Sequence, residues 1–365
     1  MQLGIIGLAR AGKTTVFNAV TRGSAQVGAY SSSAQPNVGV VNVPDDRVDR
    51  LAELYKPKKT TYATIQYVDF PAAGESFGKG EGPAGKLIQD IARTDALIHV
   101  VRGFEDETVP HPEVTVDPHR DIVTMDLELA FADLAIIERR IQRIDAEMRS
   151  IKAGERDLLQ RTRDLLVRLK AGLEDDVPIR AQGVSAEDDK LLEGTQFLTA
   201  KPLLLVINIG EADLARRAEI ESEYRARYQA PGRDVAVFSG KFEMDLNELS
   251  EEDAAEFRAS AGVTESGMAS AIRMSYGLLG LISFLTAGHD ECRAWTVERG
   301  ASAPEAAGKI HSDLRRGFIR AEVIKFEDLV AAGSEAEARK KGVLRTEGKQ
   351  YIVHDGDILN ILFNV

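Results

Sequence analysis

The sequence predicts an α/β chain: a parallel sheet layered with helices, interrupted by an inserted helical coiled-coil hairpin and followed by a small β-grasp (ubiquitin-like) module. Three observations predict it. Short apolar runs alternate with helix-like segments in the first part of the chain and again after Leu203, as in parallel sheets covered on both faces. From Leu127 the apolar spacing changes to sevens, the period of a coiled-coil seam. From about Leu281 the pattern starts afresh with strand-like runs around a helix-like segment.

The elements follow in chain order. Leu3 to Ile6 is an apolar strand, followed by a glycine loop and a helical pattern at Val16, Phe17 and Val20. Tyr62 to Phe70 reads as a β-run, and Ala96 to Val101, Leu203 to Ile207 and Val235 to Phe238 read as buried strands. The heptad series Leu127, Leu134, Ile141, Met148 runs beside Ala130, Ile137, Ile144, Ile151, and a further series holds Leu159, Leu166 and Leu173. These predict an antiparallel hairpin turning near Ala153 and Gly154. Glu243 to Glu256 reads as one surface helix, and spacing at Ile272, Tyr276, Leu279 and Ile282 as another. In the last segment, Arg293 to Gly300 predicts a strand and turn, Ala303 to Phe318 a helix, and Ile319 to Phe326 a strand. Gln350 to Val365 predicts two strands joined at Asp355-Gly356-Asp357. The expected domains are 1–125 with 199–277 for the layered sheet, 126–198 for the inserted hairpin, and 278–365 for the β-grasp module.

Composition narrows the function. The 365 residues carry a formal charge of −12, which excludes a uniformly basic nucleic-acid binder but leaves room for a local patch. Such a patch exists: Arg139 to Lys170 contains ten basic and five acidic residues. It reads equally as a solvated, ion-paired coil or as a phosphate-backbone contact. Cys292 is the sole cysteine, which suits a reducing cytoplasm. No run approaches the roughly 20 apolar residues that span a bilayer, and the N-terminal apolar run is too short for a secretory leader.

Gly7-Leu8-Ala9-Arg10-Ala11-Gly12-Lys13-Thr14 fits G-x-x-x-x-G-K-[ST], with a strand before it and a helix after it. Backbone N–H groups of Arg10, Ala11, Gly12 and the following helix start are placed to cradle phosphates. Lys13 supplies a charge between the β- and γ-phosphates, Thr14 a Mg²⁺ ligand, and Thr15 a hydroxyl for the α-phosphate. Asp69, ending an apolar strand, is a second metal-holding candidate. A base-reading loop is expected after Leu203–Ile207, at Asn208-Ile209-Gly210-Glu211. Guanine-specific proteins read N-K-x-D there. With Ile209 for the lysine and Glu211 for the aspartate, adenine becomes credible. Ser239, Gly240 and Lys241 are placed to touch the base from a final loop.

These residues resemble the Obg-like ATPase (YchF) family of translation-factor-class P-loop proteins. The resemblance covers nearly the whole chain and is carried by GLARAGKTT, QPNVGVVNVPDDRVDRLAELYKP, KGEG at 79–82, DALIHVVRGFED, LELAFADL, RAWTVERGASAPEAAGKIHSDLRRGFIRAEVIKFED and DGDILNILFNV. It implies an OBG-type nucleotide-binding domain split by a helical hairpin and followed by a TGS domain. It also implies cytoplasmic, Mg²⁺-dependent ATP hydrolysis, with GTP bound less well, and association with the ribosome (large subunit) or ribosomal RNA. A monomer is expected. The family's switch threonine, a metal ligand, falls on Ser33. Its D-x-x-G falls on Asp69-Phe70-Pro71-Ala72, with Gly74 two residues on, and Ala73 stands where a water-orienting glutamine sits in small GTPases. Its phosphate loop usually has Pro and Asn where Ala9 and Arg10 stand.

Two catalytic candidates follow. His111 matches a family histidine and either orients the attacking water or is an exposed loop histidine. Arg10 either leans over the γ-phosphate as an arginine finger in cis or faces solvent. His99 reads as a satisfied core residue, and Trp295 as core. The leading expectation is an ATPase whose nucleotide state sets its grip on the ribosome. Arg139, Arg140, Arg143, Arg315, Arg316 and Arg320 are candidate phosphate contacts on a surface formed by the hairpin and the C-terminal module. The alternatives are a nucleotide-sensing, ribosome- or RNA-binding module with little hydrolysis, favoured by Ala72 and the loop around Ser33, and a GTP-specific switch, disfavoured by Ile209 and Glu211.

Overall fold

The computed structural model describes residues 1–23, 36–71, 82–150, 156–263 and 265–364. The chain divides into two compact units, Met1–Gly39 with Gln66–Met274, and Val40–Ile65 with Ser275–Val365. The described strands are β1 (Gln2–Ile6), β2 (Asn37–Asn42), β3 (Lys59–Thr61), β4 (Thr64–Asp69), β5 (Ala96–Gly103), β6 (Leu203–Ile209), β7 (Arg233–Phe238), β8 (Leu281–Thr286), β9 (Glu291–Glu298), β10 (Phe318–Lys325), β11 (Arg345–Glu347) and β12 (Asp357–Phe363).

The first sheet has the order β2-β4-β1-β5-β6-β7. From β4 to β7 all neighbours run parallel, with Leu3 opposite Ala96 and Leu97 opposite Leu203. Every residue of β6 is buried, which is why Leu203–Ile207 is continuously apolar rather than alternating. One face packs Leu97, Val101, Leu203, Leu205 and Ile207 against Ile88, Ile91, Ile122, Met125 and Leu129.

Helix Pro118–Met148 belongs to two cores. Asp117 caps it by accepting from the Arg120 N–H at 3.1 Å, and proline stands in its first turn. Its 31 residues extend about 46 Å at the usual rise. The first turns bury Ile122, Met125 and Leu129 against the sheet. The later turns bury Ile137 and Ile144 against Leu165, Leu166, Leu169 and Leu173 of helix Arg156–Glu174. The expected boundary at 126 therefore falls inside a continuous helix. Of the two expected seams, the Ile137–Ile144 series is the buried one. Leu134, Ile141 and Met148 pack at its margin, and Leu127 is exposed. Ile151 and the expected turn at Ala153 and Gly154 lie outside the described residues.

Asp133 fastens the return from this hairpin to β6. It is fully buried and accepts from the Leu198 N–H (2.8 Å), the Thr199 N–H (2.8 Å) and the Thr199 hydroxyl (2.7 Å). Burial pushes its carboxyl up to about 6, against those hydrogen bonds.

The second unit holds a mixed sheet, β11-β10-β12-β8-β9-β3, whose β12–β8 and β3–β9 pairs are parallel. Ala303, Ala306 and Ala307 of helix Ala303–Ile310 pack closely on Phe284, Val297, Val323 and Leu359. Residues Val40–Ile65, expected with the nucleotide-binding domain, lie in this unit. Lys59 of β3 pairs with Glu291, helix Asp46–Tyr55 buries Val48 and Leu51, and Arg47 bridges Asp45 and Asp355 at 2.8 Å each.

Four local expectations differ. The helix expected over Ala303 to Phe318 breaks at extended His311 into Ala303–Ile310 and Ser312–Arg316. The helix expected through Ile282 stops at Leu278, because Gly280 takes a φ of 66° and leads into β8. The surface helix expected from Glu243 to Glu256 is two helices, Gly240–Leu246 and Glu251–Ser260, the second capped by Ser250. Of two expected C-terminal strands only β12 forms. Ile352 makes an isolated bridge to Ser302, and the Asp357 carboxylate is taken by the Tyr351 hydroxyl and the His354 N–H. Among the described residues no helix is long and apolar enough to cross a membrane.

Asp133→Ala would leave two buried N–H groups unpaired. Urea unfolding should report a loss of about 3 kcal/mol, with Asp133→Asn costing less because one acceptor remains.

Candidate functional site

The site is built where β1 ends. Gly7 follows the strand with its backbone pressed on β5: a Cβ there would lie 2.3 Å from the Val100 carbonyl oxygen. Gly12, at φ 87°, turns the chain into helix Lys13–Thr21, and a Cβ there would lie 2.3 Å from Nδ2 of Asn208. These two positions require glycine for space as well as for φ. The helix starts with N–H groups that have no partner four residues back, the usual basis of an anion site.

Lys13 is buried, and its Nζ donates to the Gly7 and Leu8 carbonyls at 3.0 Å each. Burial lowers its pKa to about 8, with Asp69 pulling the other way. Asp69 stands beside the loop because β4 pairs with β1, Ile5 opposite Asp69. Its Oδ2 accepts from the Thr14 hydroxyl (2.9 Å) and from Nδ2 of Asn37 (3.3 Å). Burial raises its carboxyl, against the pull of Thr14, Asn37 and Lys13. Its buried Oδ1 has no hydrogen-bond partner among the described residues. A hydroxyl, a carboxylate and one unsatisfied oxygen beside a helix start are a donor set that fits Mg²⁺, a hard cation that keeps several waters. Ser33, expected as a third ligand, lies outside the described residues, as do Ala72, Ala73 and Gly74.

Asn208, next to last in β6, ties three segments together. Its Nδ2 donates to the Ala11 carbonyl at 3.1 Å, and its Oδ1 accepts from the Gly240 N–H at 2.9 Å. Gly240 thus spends its N–H within the protein. Ser239 is buried and caps helix Gly240–Leu246, accepting from the Phe242 N–H. Ile209, expected at the base, points its side chain into the sheet core. Glu211 and Lys241 are exposed and form an ion pair at 3.5 Å. Thr15 is half-buried on the first turn of the helix.

Arg10 sits at φ 63°, is exposed, and donates from Nη1 to the Pro110 carbonyl at 2.6 Å. His111 is buried, contrary to an exposed loop histidine. Its Nδ1 accepts from the Glu113 N–H (3.1 Å) and its Nε2 lies 2.9 Å from Asp121 Oδ2, an arrangement in which Nε2 carries the proton. Arg120 binds the other oxygen of Asp121. Both ring nitrogens of His111 are engaged. His99 is core as expected but not satisfied: neither ring nitrogen has a partner among the described residues, and burial lowers it to about 3, so it is neutral. Trp295 packs against the core of the second unit, with the Arg293 guanidinium 3.8 Å from its ring centre.

Three residues escaped the sequence reading. Asn37 donates to Oδ2 of Asp69, the oxygen that the Thr14 hydroxyl also binds. Phe104 stands between the phosphate loop and the Asn208–Glu211 loop: a Cβ on Gly12 would be 3.8 Å from its ring and one on Gly210 3.5 Å from its Cβ. Buried Arg102 lies with its guanidinium 4.6 Å from the Phe104 ring centre and donates from Nε to the Phe104 carbonyl. No spacing announces them; Arg102 and Phe104 are visible only as part of the run DALIHVVRGFED.

Asn208→Ala would orphan the Gly240 N–H and release the phosphate loop from β6. A labelled-nucleotide titration should show affinity reduced about tenfold or more, the equivalent of losing one or two buried hydrogen bonds.

Comparison with known proteins identifies the family. Residues 2–128 match a family model described as a 50S ribosome-binding GTPase, and residues 281–364 match the model YchF-GTPase_C, described as a protein of unknown function. The chain is 41% identical over 365 residues to the ribosome-binding ATPase YchF of Bacillus subtilis, covering 99% of each. It is 36% identical over 368 residues to Obg-like ATPase 1 of Oryza sativa, covering 100% of this chain and 92% of the relative. The structure of the Schizosaccharomyces pombe YchF GTPase superimposes with a TM-score of 0.82 at 28% identity, covering 99% of this chain and 97% of the other. A phosphate loop set on this sheet, a helical hairpin within it and relatives matched from end to end have one reading: the chain belongs to the YchF (Obg-like ATPase) family.

Proposed function

We propose that this chain is a cytoplasmic, monomeric, ribosome-binding ATPase that prefers ATP to GTP and couples its nucleotide to its hold on the large ribosomal subunit. The observation that carries the reading is the convergence of Lys13, Thr14 and Asp69 at the start of helix Lys13–Thr21. Lys13 leaves the Gly7 and Leu8 carbonyls for the β- and γ-phosphate oxygens, exchanging two neutral acceptors for charged ones. The Thr14 hydroxyl would hold Mg²⁺ directly and Asp69 through water; the ion, when bound, neutralises charge on the phosphate oxygens.

Base choice follows from what is absent at 209. A lysine stem that could pack on guanine is replaced by Ile209, which is spent in the core, and Glu211 is paired with Lys241. Coupling has a physical route. Arg10 of the phosphate loop holds Pro110, the neighbouring His111 holds Asp121, and Asp121 lies in the first turn of the helix that continues into the hairpin. On this reading Arg10 and His111 reach a γ-phosphate or its water only after these bonds open, so nucleotide and hairpin compete for them. The competing reading, a nucleotide sensor with little turnover, draws on the engagement of both His111 nitrogens. On the hairpin, Arg139 and Arg143 are exposed candidates for ribosomal phosphates, whereas Arg140 is drawn to Thr195 and the Leu191 carbonyl. On the second unit Arg315 and Arg320 are exposed, and Arg316 is paired with Asp313.

Steady-state phosphate release tests the reading. ATP turnover should exceed GTP turnover and be abolished by Lys13→Ala; equal, Lys13-independent rates would refute it. The pH dependence has a definite sign. Below about pH 8 Lys13 is an ammonium and nucleotide affinity is level. Bound phosphate favours the ammonium, so above about 8 affinity falls by as much as tenfold per pH unit. Folding stability runs oppositely: the depressed lysine is a cost fully present below about 8 and relieved as pH rises toward 10.5. Calorimetric titration of the protein with a non-hydrolysable ATP analogue between pH 7 and 10 would check the first, urea unfolding the second.

A further inference from the structure

The sheet of the second unit has an open edge inside it. β12 pairs with β10 along its whole length, from Asp357 opposite Lys325 to Phe363 opposite Phe318. On its other side it pairs with β8 only at Ile358, opposite Leu285. β8 ends at Thr286, so Leu359 to Phe363 run on with no strand beside them among the described residues. In an antiparallel ladder about every second residue turns its N–H and C=O away from its partner. Five residues, roughly 17 Å at strand rise, therefore present backbone donors and acceptors along this edge.

The edge is not a bare rim. It opens into a cleft of about 410 Å³ with a wall on each face of the sheet. On one face stand Ile310 and Leu314, which pack with Leu359 and Ile361. On the other stand Leu329, Tyr55 and two carboxylates, Glu322 and Glu335; among the described residues no cationic side chain lines the cleft. Asn360 donates to Glu322 Oε2 across the strands, which places the carboxylates on the Asn360 face. The two faces therefore differ in kind, one apolar and one acidic, and side chains of any strand added here alternate between them. The present cationic neighbour is Arg339, exposed, at 2.8 Å from Glu322 and 3.5 Å from Glu335.

We propose that β12 accepts a partner protein's extended segment by strand addition, and that the segment alternates Lys or Arg with Val, Ile or Leu. Its backbone completes the edge beyond β8, its apolar residues cover Ile310 and Leu314, and its cations replace or join Arg339 at Glu322 and Glu335. This site is independent of the nucleotide. An acidic wall argues against nucleic acid as the occupant, since phosphates would face two carboxylates.

The test uses the full-length protein and short, end-blocked fluorescent peptides. The Lys-Val alternating peptide should bind saturably and slow amide exchange in Leu359–Phe363. The same peptide with Asp for Lys, or with a central proline that removes a backbone donor, should bind at least about tenfold more weakly. Glu335→Lys should weaken the Lys-Val peptide about tenfold while leaving nucleotide affinity unchanged, and the peptide controls carry the test if that variant folds poorly. Equal binding of the three peptides overturns the proposal, as does protection arising away from β12. Displacement by an RNA oligonucleotide, or protection of Leu359–Phe363 through self-association without peptide, overturns the assigned occupant.

Discussion

The side-chain amide of Asn208 is the constraint on which the nucleotide site depends. It reaches from the end of a fully buried strand to the Ala11 carbonyl on one side and the Gly240 N–H on the other. Two segments from distant parts of the sequence are held at hydrogen-bond length by one residue of β6. The arrangement leaves no room for a Cβ at Gly12, so the glycine of the loop and the asparagine of β6 specify one another. With the loop held, the helix start faces outward, Lys13 is buried beneath it, and the pairing of β4 with β1 brings Asp69 to Thr14. Burial is what gives these groups their chemistry. It pushes Lys13 toward the neutral amine and Asp69 toward the neutral acid, so both gain when an anion and a cation arrive together.

A second constraint is continuity. Helix Pro118–Met148 packs its first turns on the sheet and its later turns in the hairpin without a break. A displacement at its start is therefore carried along it as a rigid element. The start is also where His111 binds Asp121, next to the residue held by Arg10. Arg10 supplies a bond between the phosphate loop and this loop. Asp133 fastens the other end of the excursion to the strand that carries Asn208.

Much of this was legible in the sequence, for physical reasons that also explain the rest. Buried parallel strands are continuous apolar runs, so β5, β6 and β7 were readable to within two residues at one end, where polar or glycine residues end the apolar run, and the phosphate loop announces itself through glycines that sterics impose. Heptads marked the hairpin, but periodicity could not say that its first helix begins at Pro118, because residues packed on a sheet and residues packed on a helix share the same spacing. Elements without periodicity were missed: β3 and β11 are three residues each, polar and at sheet edges. At the site, Lys13, Thr14, Asp69 and Asn208 lie together as expected. Ile209 turned into the core because it continues the face of β6 that carries Leu203, Leu205 and Ile207. The environments of Arg10 and His111 depended on long-range partners, Pro110 and Asp121, that no local pattern encodes.

The interleaving of Val40–Ile65 with Ser275–Val365 bears on how the polypeptide matures during synthesis. Helix Asp46–Tyr55 and β3 leave the exit tunnel early, yet β9, against which β3 pairs, is translated more than two hundred residues later. Through most of elongation that stretch has no native neighbour to cover Val48 and Leu51, so it waits as exposed chain or in the care of a chaperone. Nor can the second unit be obtained as a C-terminal fragment: cutting near residue 275 would strip β9 of its outer strand and delete a helix from its side.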